Sequence, residues 1–527
     1  MSLTHNPESQ EAAPTPHRIA VQSAPSAVAP TVETRTDVVQ SFLSDAAHVP
    51  GGAAAGVAFP RSAAEVSALV ASARRVLPIG AQSSLTGGAT PRGDVIVSTR
   101  ALTGIDTISD SMVRVGAGVP LAELQRVLAA RRLYYPPVPT FDGAFVGGTV
   151  ATNAAGAATF KYGSTRRWVE ALTIVLADGS LLEIHRGDLV ASDTRAFELE
   201  YVSGNVIRIP VPTYTLPGVP KLSAGYFAQP DMDLIDLFIG SEGTLGVIVD
   251  ATLRVIPTPR RYLMLVTCES DRQAIEVTAA LRVEASASWR GEGPLDVSAI
   301  EYIDSRALAK LPDEAFFRAG VARPQQTGVA LLVQVEIPAS DEETLQRIGS
   351  VLDQCEVDAD PYIAGPDETR AADRLLELRE AVPSAINALV AAAKARVHAD
   401  IQKTAGDLIV PFERLADSMA LYRSSFESRG LDYAIWGHLS DGNLHPNVVP
   451  RSLDDVERGR EAILEMARGV IQMGGAPLAE HGVGRSALKQ ERAPGSYGES
   501  GIEEMRRVKR ALDPTWKLSA GVLFPES

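Results

Sequence analysis

Gly240-Ser241-Glu242-Gly243-Thr244-Leu245-Gly246 is the last of four glycine clusters, and their order decides how the chain is read. The others are Pro78-Ile79-Gly80-Ala81-Gln82-Ser83-Ser84-Leu85-Thr86-Gly87-Gly88, Gly147-Gly148-Thr149-Val150-Ala151-Thr152-Asn153-Ala154-Ala155-Gly156 and Tyr162-Gly163. Glycine admits φ > 0 and lets a ligand approach the backbone. Successive N–H groups in such turns form anion-binding concavities, and the interspersed Ser and Thr hydroxyls add donors. A diphosphate suits them. None of the four is a G-x-G-x-x-G after a strand or a P-loop, which excludes the Rossmann and Walker nucleotide sites. One cluster alone reads equally well as a tight turn; four within residues 34–258 point to a ligand.

Around the clusters, Ser62-Ala63-Ala64-Glu65 is a capping box opening a helix to about Val76. Short strands are expected at 77–79, 95–98 and 113–115, and Pro120 begins a helix to Arg131. Asp178-Gly179 between two apolar runs is a strand–turn–strand signal. After Pro257 the pattern changes to strands at 262–267, 297–303 and 329–337 alternating with helices at 271–287 and 341–353. That spacing implies a sheet covered by helices on one face, completed by helices at 369–395, 412–429 and 453–473. The apolar run Ala381–Ala393 is too short for a membrane span and reads as a buried helix. The expected division is a disordered tail at 1–33, a first α+β unit at 34–258, a second unit at 259–511, and a segment at 512–527 returning to the first.

The chain has 527 residues, 50 Lys+Arg against 65 Asp+Glu, and a net charge of −15. An acidic balance argues against nucleic acid and against a polybasic membrane clamp. Cys268 and Cys355 cannot build a disulfide framework, a Cys₄ zinc site or an iron–sulfur cluster. A reducing compartment is expected, any metal must be held by His and carboxylates, and redox chemistry requires an organic cofactor.

The glycine clusters, in this order, resemble the FAD-binding domain of the vanillyl-alcohol oxidase / PCMH superfamily. The resemblance is to the glycolate oxidase / D-lactate dehydrogenase / D-2-hydroxyglutarate dehydrogenase branch, from about residue 55 to the C-terminus. It implies a two-subdomain PCMH-type FAD-binding domain plus a cap (substrate) domain with an antiparallel sheet. It implies that Pro78, Gly80, Ala81, Gln82, Ser83, Ser84, Thr86, Gly87 and Gly88 cradle the diphosphate. The rest of the FAD would be lined by Pro139, Gly147, Gly148, Thr149, Thr152, Asn153, Gly156, Tyr162, Gly163, Glu242, Gly243, Thr244 and Gly246. Many superfamily members attach flavin through a His in the first loop; this chain has Ala81-Gln82-Ser83-Ser84 there, so FAD is expected to be non-covalent.

Three of the 8 His lie in two short segments, Gly437-His438-Leu439-Ser440-Asp441-Gly442-Asn443-Leu444-His445-Pro446-Asn447 and Glu480-His481-Gly482. Ser440–Asn443 is strong turn chemistry. A hairpin there places Leu439 opposite Leu444 and His438 opposite His445, with Cβ atoms about 4.5–5.5 Å apart, and Asn447 on their face. Two His and a carboxylate with an open position form a catalytic zinc or ferrous pattern. The same branch carries Gly-His-x-x-x-Gly-Asn-x-His and Glu-His-Gly in this order. The resemblance therefore implies His438, His445 and Glu480 as ligands of a divalent metal (zinc, or iron or manganese), His481 as base and Asn447 as substrate contact. It also implies a carboxylate-binding role for Arg379, in Arg379-Glu380, and for Lys403, four residues before Asp407, where many relatives have Lys two before.

Together these features imply oxidation of a D-2-hydroxy acid, with electrons passing to an external acceptor: a quinone, a cytochrome, an electron-transfer flavoprotein or oxygen. Homodimerisation, and a cytoplasmic location or one peripheral to a membrane, complete the expectation. The rivals are a non-redox enzyme of the alkylglycerone phosphate synthase type, which would carry a run of His at 480–481, and a flavin-binding subunit of a glycolate oxidase-like complex. Since the surface as a whole repels an anion, the pocket must be a local positive exception.

Overall fold

The computed structural model describes residues 18–525 apart from 138, 140, 325–327 and 339. In the half carrying the glycine clusters, Ala53–Ala58, Arg92–Ser98 and Val76–Ile79 form a parallel sheet with Arg92–Ser98 at its centre. The helix between its outer strands is Ala63–Ser72, and Ser62 caps it by accepting the Glu65 N–H at 3.2 Å. The Glu65 carboxylate reaches back to the N–H of Arg61, one residue before the cap. A five-stranded antiparallel sheet follows, ordered Ile105–Ser109, Met112–Gly116, Val247–Arg254, Val169–Val175 and Leu181–His185. Its last two strands are the hairpin that Asp178-Gly179 turns.

Residues 1–17 of the expected tail lie outside the described residues. The remainder is docked: Arg18–Val21 pairs in parallel with Ala196–Tyr201, and Glu33 bridges Val57. Neither contact shows in the composition of the segment, because both are backbone ladders that any residue type can make.

In the second half, seven antiparallel strands run in the order Tyr362–Ala364, Arg261–Cys268, Val329–Glu336, Asp296–Ile303, Tyr433–His438, Asn443–Val448 and Leu408–Ile409. Here the expectation of helices on one face is corrected. Met264, Val266, Leu331 and Val333 pack under Asp271–Trp289, Asp341–Gln354, Leu415–Glu427 and Leu453–Gln472. Leu263, Leu265, Ala330 and Leu332 pack on the other side, under Ser305–Lys310, Asp313–Ala319 and Thr369–Arg396. Strands apolar at successive positions, as these are, are buried on both faces. The run Ala381–Ala393 is also corrected: it lies within Thr369–Arg396, where only Val382, Ile386 and Val390 of it are buried.

Ala487–Leu512 is a long helix broken at Gly498, which lies outside helical φ/ψ. No sequence pattern marked it, since Pro494, Gly495 and Gly498 interrupt it. It carries the chain back to the first half. Leu518 bridges Val76, and the buried Lys509 ammonium donates to the Thr244 and Leu518 carbonyls and pairs with Asp513. Among the described residues no helix is long and apolar enough to cross a membrane.

Candidate functional site

Two candidate sites stand out. The first is a cavity lined by Pro78, Ile79, Gly80, Thr99, Gly147, Gly148, Ala151, Glu242, Gly243, Gly246 and Ile248. Nine of these lie within the clusters read from sequence, although Ile79 and Ala151 carried no assigned role there. Thr99 and Ile248 lie outside them, in a 3₁₀ segment and a strand. Its walls are largely backbone. A Cβ on Gly147 would meet the Ala117 Cβ at 2.6 Å, whereas one on Gly148 would meet nothing within 4 Å. Gly148 therefore faces the open space a ligand would fill.

Other expected lining residues point elsewhere. The Gln82 amide donates to the Ser41 and Ser44 carbonyls, fastening the first loop to the segment before it. The Ser84 and Thr86 hydroxyls bond each other at 2.9 Å. Thr152 donates to the Gly148 carbonyl, and Thr149 to that of Val146. Tyr162 gives its hydroxyl to Glu336 of the second half, and Thr244 meets the Tyr226 hydroxyl at 2.7 Å. Gly87 packs on Val49, and Gly88 lies against Gly484. No side-chain bond is described for Ala81, Ser83, Pro139, Gly156 or Gly163. Glu242 does both jobs: it lines the cavity, and its carboxylate accepts the Val483 and Gly484 N–H groups at 2.8 and 2.9 Å. Burial pushes its carboxyl up to about 7, against those two bonds.

The second site is a buried cluster of imidazoles and carboxylates. The hairpin turns through a short 3₁₀ segment, Leu439–Asp441, and Gly442 at φ 82°, where a Cβ would strike the Val410 carbonyl at 2.2 Å. The turn lies one residue earlier than expected, at 439–442, which corrects the register by two residues: His438 lies opposite Asn443, and Trp436 opposite His445. A shift of two keeps each side chain on its face. His438 and His445 thus remain diagonal neighbours, with ring centroids 5.5 Å apart. One donor atom each from His438, His445 and Glu480 lies within 4.8 Å of the others. His438 Nε2 is 3.1 Å from Glu480 Oε1, and His445 Nε2 is 3.7 Å from Oε2.

His481 sits 5.6 Å from His445, ring to ring, and at 31% side-chain exposure is the most accessible member of the cluster. Asp407 holds it. One carboxylate oxygen accepts the N–H groups of Glu480 and His481 and meets His481 Nδ1 at 2.8 Å, and Nε2 makes no hydrogen bond among the described residues. Burial would raise the Asp407 carboxyl, but His481 and its hydrogen bond hold it well below the ordinary range. Burial likewise drives the His445 imidazole down to about 3, while Glu301 and Glu480 outweigh burial and lift His438 to about 9. Arg379 is buried, with Nε donating to Glu301 at 2.7 Å and Nη1 to Glu380 at 3.0 Å. Asn447 is buried with its Oδ1 unpaired. Lys403 is exposed and makes no hydrogen bond or ion pair among the described residues.

Four residues of the cluster carried no assignment from sequence: Asp407, Glu301, Asp441 and Lys221. Asp441 was read as turn chemistry. Glu301 left a usable signal, a charge in the middle of an apolar strand buried along its whole length. Lys221 left none. Its ammonium is fully buried and pairs with Glu480 and, at 3.0 Å, with Asp441. The two residues after it join the same junction: the Leu222 carbonyl accepts from Asn153 of the second glycine cluster, and Ser223 Oγ accepts from the Gly482 N–H.

A family model described as FAD binding domain matches residues 54–185, and one described as FAD linked oxidases, C-terminal domain, matches residues 276–523. A protein named D-2-hydroxyglutarate dehydrogenase from Stutzerimonas stutzeri is 28% identical over 94% of this chain and 96% of its own length. Glycolate oxidase subunit GlcD of Bacillus subtilis is 26% identical, over 88% of each chain. D-lactate dehydrogenase of Archaeoglobus fulgidus is 28% identical, over 88% of this chain and 89% of its own. Among solved structures, an alkyldihydroxyacetonephosphate synthase superposes with TM-score 0.54 at 16% identity, over 88% of this chain and 75% of that one. At that identity the likeness is one of fold.

Proposed function

Because the chain belongs to the PCMH-type FAD-linked oxidases, we propose that it oxidises a D-2-hydroxy acid to the 2-oxo acid at the junction of the cavity and the histidine cluster. The observation that carries this reading is the convergence of His438, His445 and Glu480 beside a His481–Asp407 pair. Relatives named for D-2-hydroxyglutarate, D-lactate and glycolate support the substrate class.

The backbone walls of the cavity suit close approach by part of a dinucleotide, with Pro78, Gly80, Gly147, Gly148 and Gly243 as the residues to hold FAD. His438, His445 and Glu480 fit a divalent cation, zinc foremost. The carboxylates of Glu301, Asp407, Asp441 and Glu480 gather among Lys221, Arg379 and the imidazoles. Buried charge is stable only when compensated, and a divalent cation would add to that compensation.

When bound, the metal supplies a Lewis acid for the substrate hydroxyl, and FAD supplies the acceptor for the Cα hydrogen with its electron pair. The chain's own groups do the rest. His481 Nε2 takes the hydroxyl proton, with Asp407 holding Nδ1 and stabilising the imidazolium. Arg379 binds the carboxylate in the planar fork its guanidinium offers, with Lys403 as a further cation for it. Asn447 Oδ1 is the acceptor for a substrate hydrogen-bond donor. With only Cys268 and Cys355 in the chain, no iron–sulfur cluster can relay the electrons, so reoxidation is by an external acceptor.

The test is anaerobic mixing with a panel of D- and L-2-hydroxy acids while the visible flavin absorbance is followed. Bleaching by one or more D-acids is expected. A flavin that no member reduces overturns the reading. In the same preparation, His438→Ala should strip the metal; metal content equal to the native protein's would remove His438 from the ligand set.

A further inference from the structure

We propose that Glu301 is a positioning residue that ties the carboxylate clamp to the metal ligands, fixing His438 and Arg379 with one side chain. This rests on the reading of His438, His445 and Glu480 as a metal set. Glu301 sits in the strand Asp296–Ile303, directly opposite His438 in the antiparallel ladder. Its two oxygens are divided: Oε1 meets His438 Nδ1, and Oε2 accepts from Arg379 Nε at 2.7 Å. It is buried, at 5% exposure.

A carboxylate is an acceptor only. Against Glu301, His438 must therefore hold a proton on Nδ1, so Nε2, 3.1 Å from Glu480, is the nitrogen left to give its lone pair to a metal. That is the tautomer a metal ligand needs. The other oxygen orients the guanidinium. With Nε on Glu301 and Nη1 on Glu380, Arg379 Nη2 makes no hydrogen bond among the described residues, so that edge is free for an incoming carboxylate. The two grips meet in one side chain, so a group that bonds only one of them correctly disturbs the other. Glutamine is such a group. Its amide N–H must face either His438 Nδ1–H or Arg379 Nε–H, and relief of the first clash moves the His438 proton to Nε2, where it blocks the metal.

The experiment uses the flavin-loaded full-length protein as wild type, Glu301→Gln and Glu301→Asp. Metal is removed, and Zn²⁺ is titrated back in competition with a chromophoric chelator. FAD content and Tm are measured alongside, and KM is determined for the best D-2-hydroxy acid. Glu301→Gln is expected to weaken zinc about 10–100-fold and to raise KM about tenfold or more, with FAD content unchanged. Glu301→Asp keeps the charge while withdrawing it, and carries the same test if the glutamine variant does not fold; it should weaken zinc less. Wild type that binds zinc together with folded variants that bind it equally well overturns this inference alone. Wild type that binds no zinc overturns the ligand set as well.

Discussion

The cavity and the histidine cluster are built on opposite principles. The cavity is backbone: glycines from three short motifs, each contiguous in sequence, whose lack of side chains is the feature that matters. The cluster is side chain: residues 221, 301, 379, 407, 438–447 and 480–481 drawn from across the chain, each buried because a partner of opposite charge waits for it. A site made of backbone announces itself as a contiguous pattern. A site made of paired side chains does so only where the residue type is rare.

The sharpest way to separate the two is to remove the proposed base. His481→Ala should slow reduction of the flavin by substrate about a thousandfold while FAD stays bound; a native bleaching rate removes His481 from that role. Next come the adjacent glycines. Gly147→Ala drives a methyl into Ala117 and should cost the fold about 1–3 kcal/mol. Gly148→Ala meets only the cavity, so apoprotein Tm should hold while FAD affinity falls. Equal loss of Tm in both variants would mean that Gly148 does not face a ligand space.

A smaller effect tests Glu242, where the two sites meet. Its folded-state carboxyl lies near 7, above the ordinary 4.5. The folded protein therefore holds that proton more tightly than the unfolded chain. The stability this confers is complete below about pH 4.5 and is lost as pH rises through 7, on the order of 2 kcal/mol. Glu242→Gln should flatten that part of the Tm–pH curve; an unchanged slope assigns it to another group. The smallest effect is expected at Lys403, whose exposure limits its attraction for an anion. Lys403→Ala should raise KM about two- to fivefold and leave kcat alone. A loss beyond fiftyfold would place Lys403 within the cluster.

Much of the fold was legible where local chemistry and global position agree. Ser62 and Glu65 start a helix in any context, and Asp178-Gly179 turns its hairpin as expected. The strand at 18–21 and the helix at 487–512 were not legible. The first is fixed by backbone pairing with a partner some 180 residues away, and the second contains Pro494 and Gly498. The gathering of His438, His445 and Glu480 was readable despite a wrong register, because a slip of two residues preserves the face. Lys221 was silent: nothing in a loop sequence says that a lysine will be buried against two carboxylates from the other half.

That same loop sets a rule for building chimeras. Lys221, Leu222 and Ser223 belong by sequence to the half with the glycine clusters, yet within three residues they hold Glu480, Asn153 and Gly482. A cap exchanged between two such proteins at the Pro257 boundary would arrive without the lysine its carboxylates were selected against. The functional seam runs across the chain, not along it, and residues 221–223 must travel with the graft.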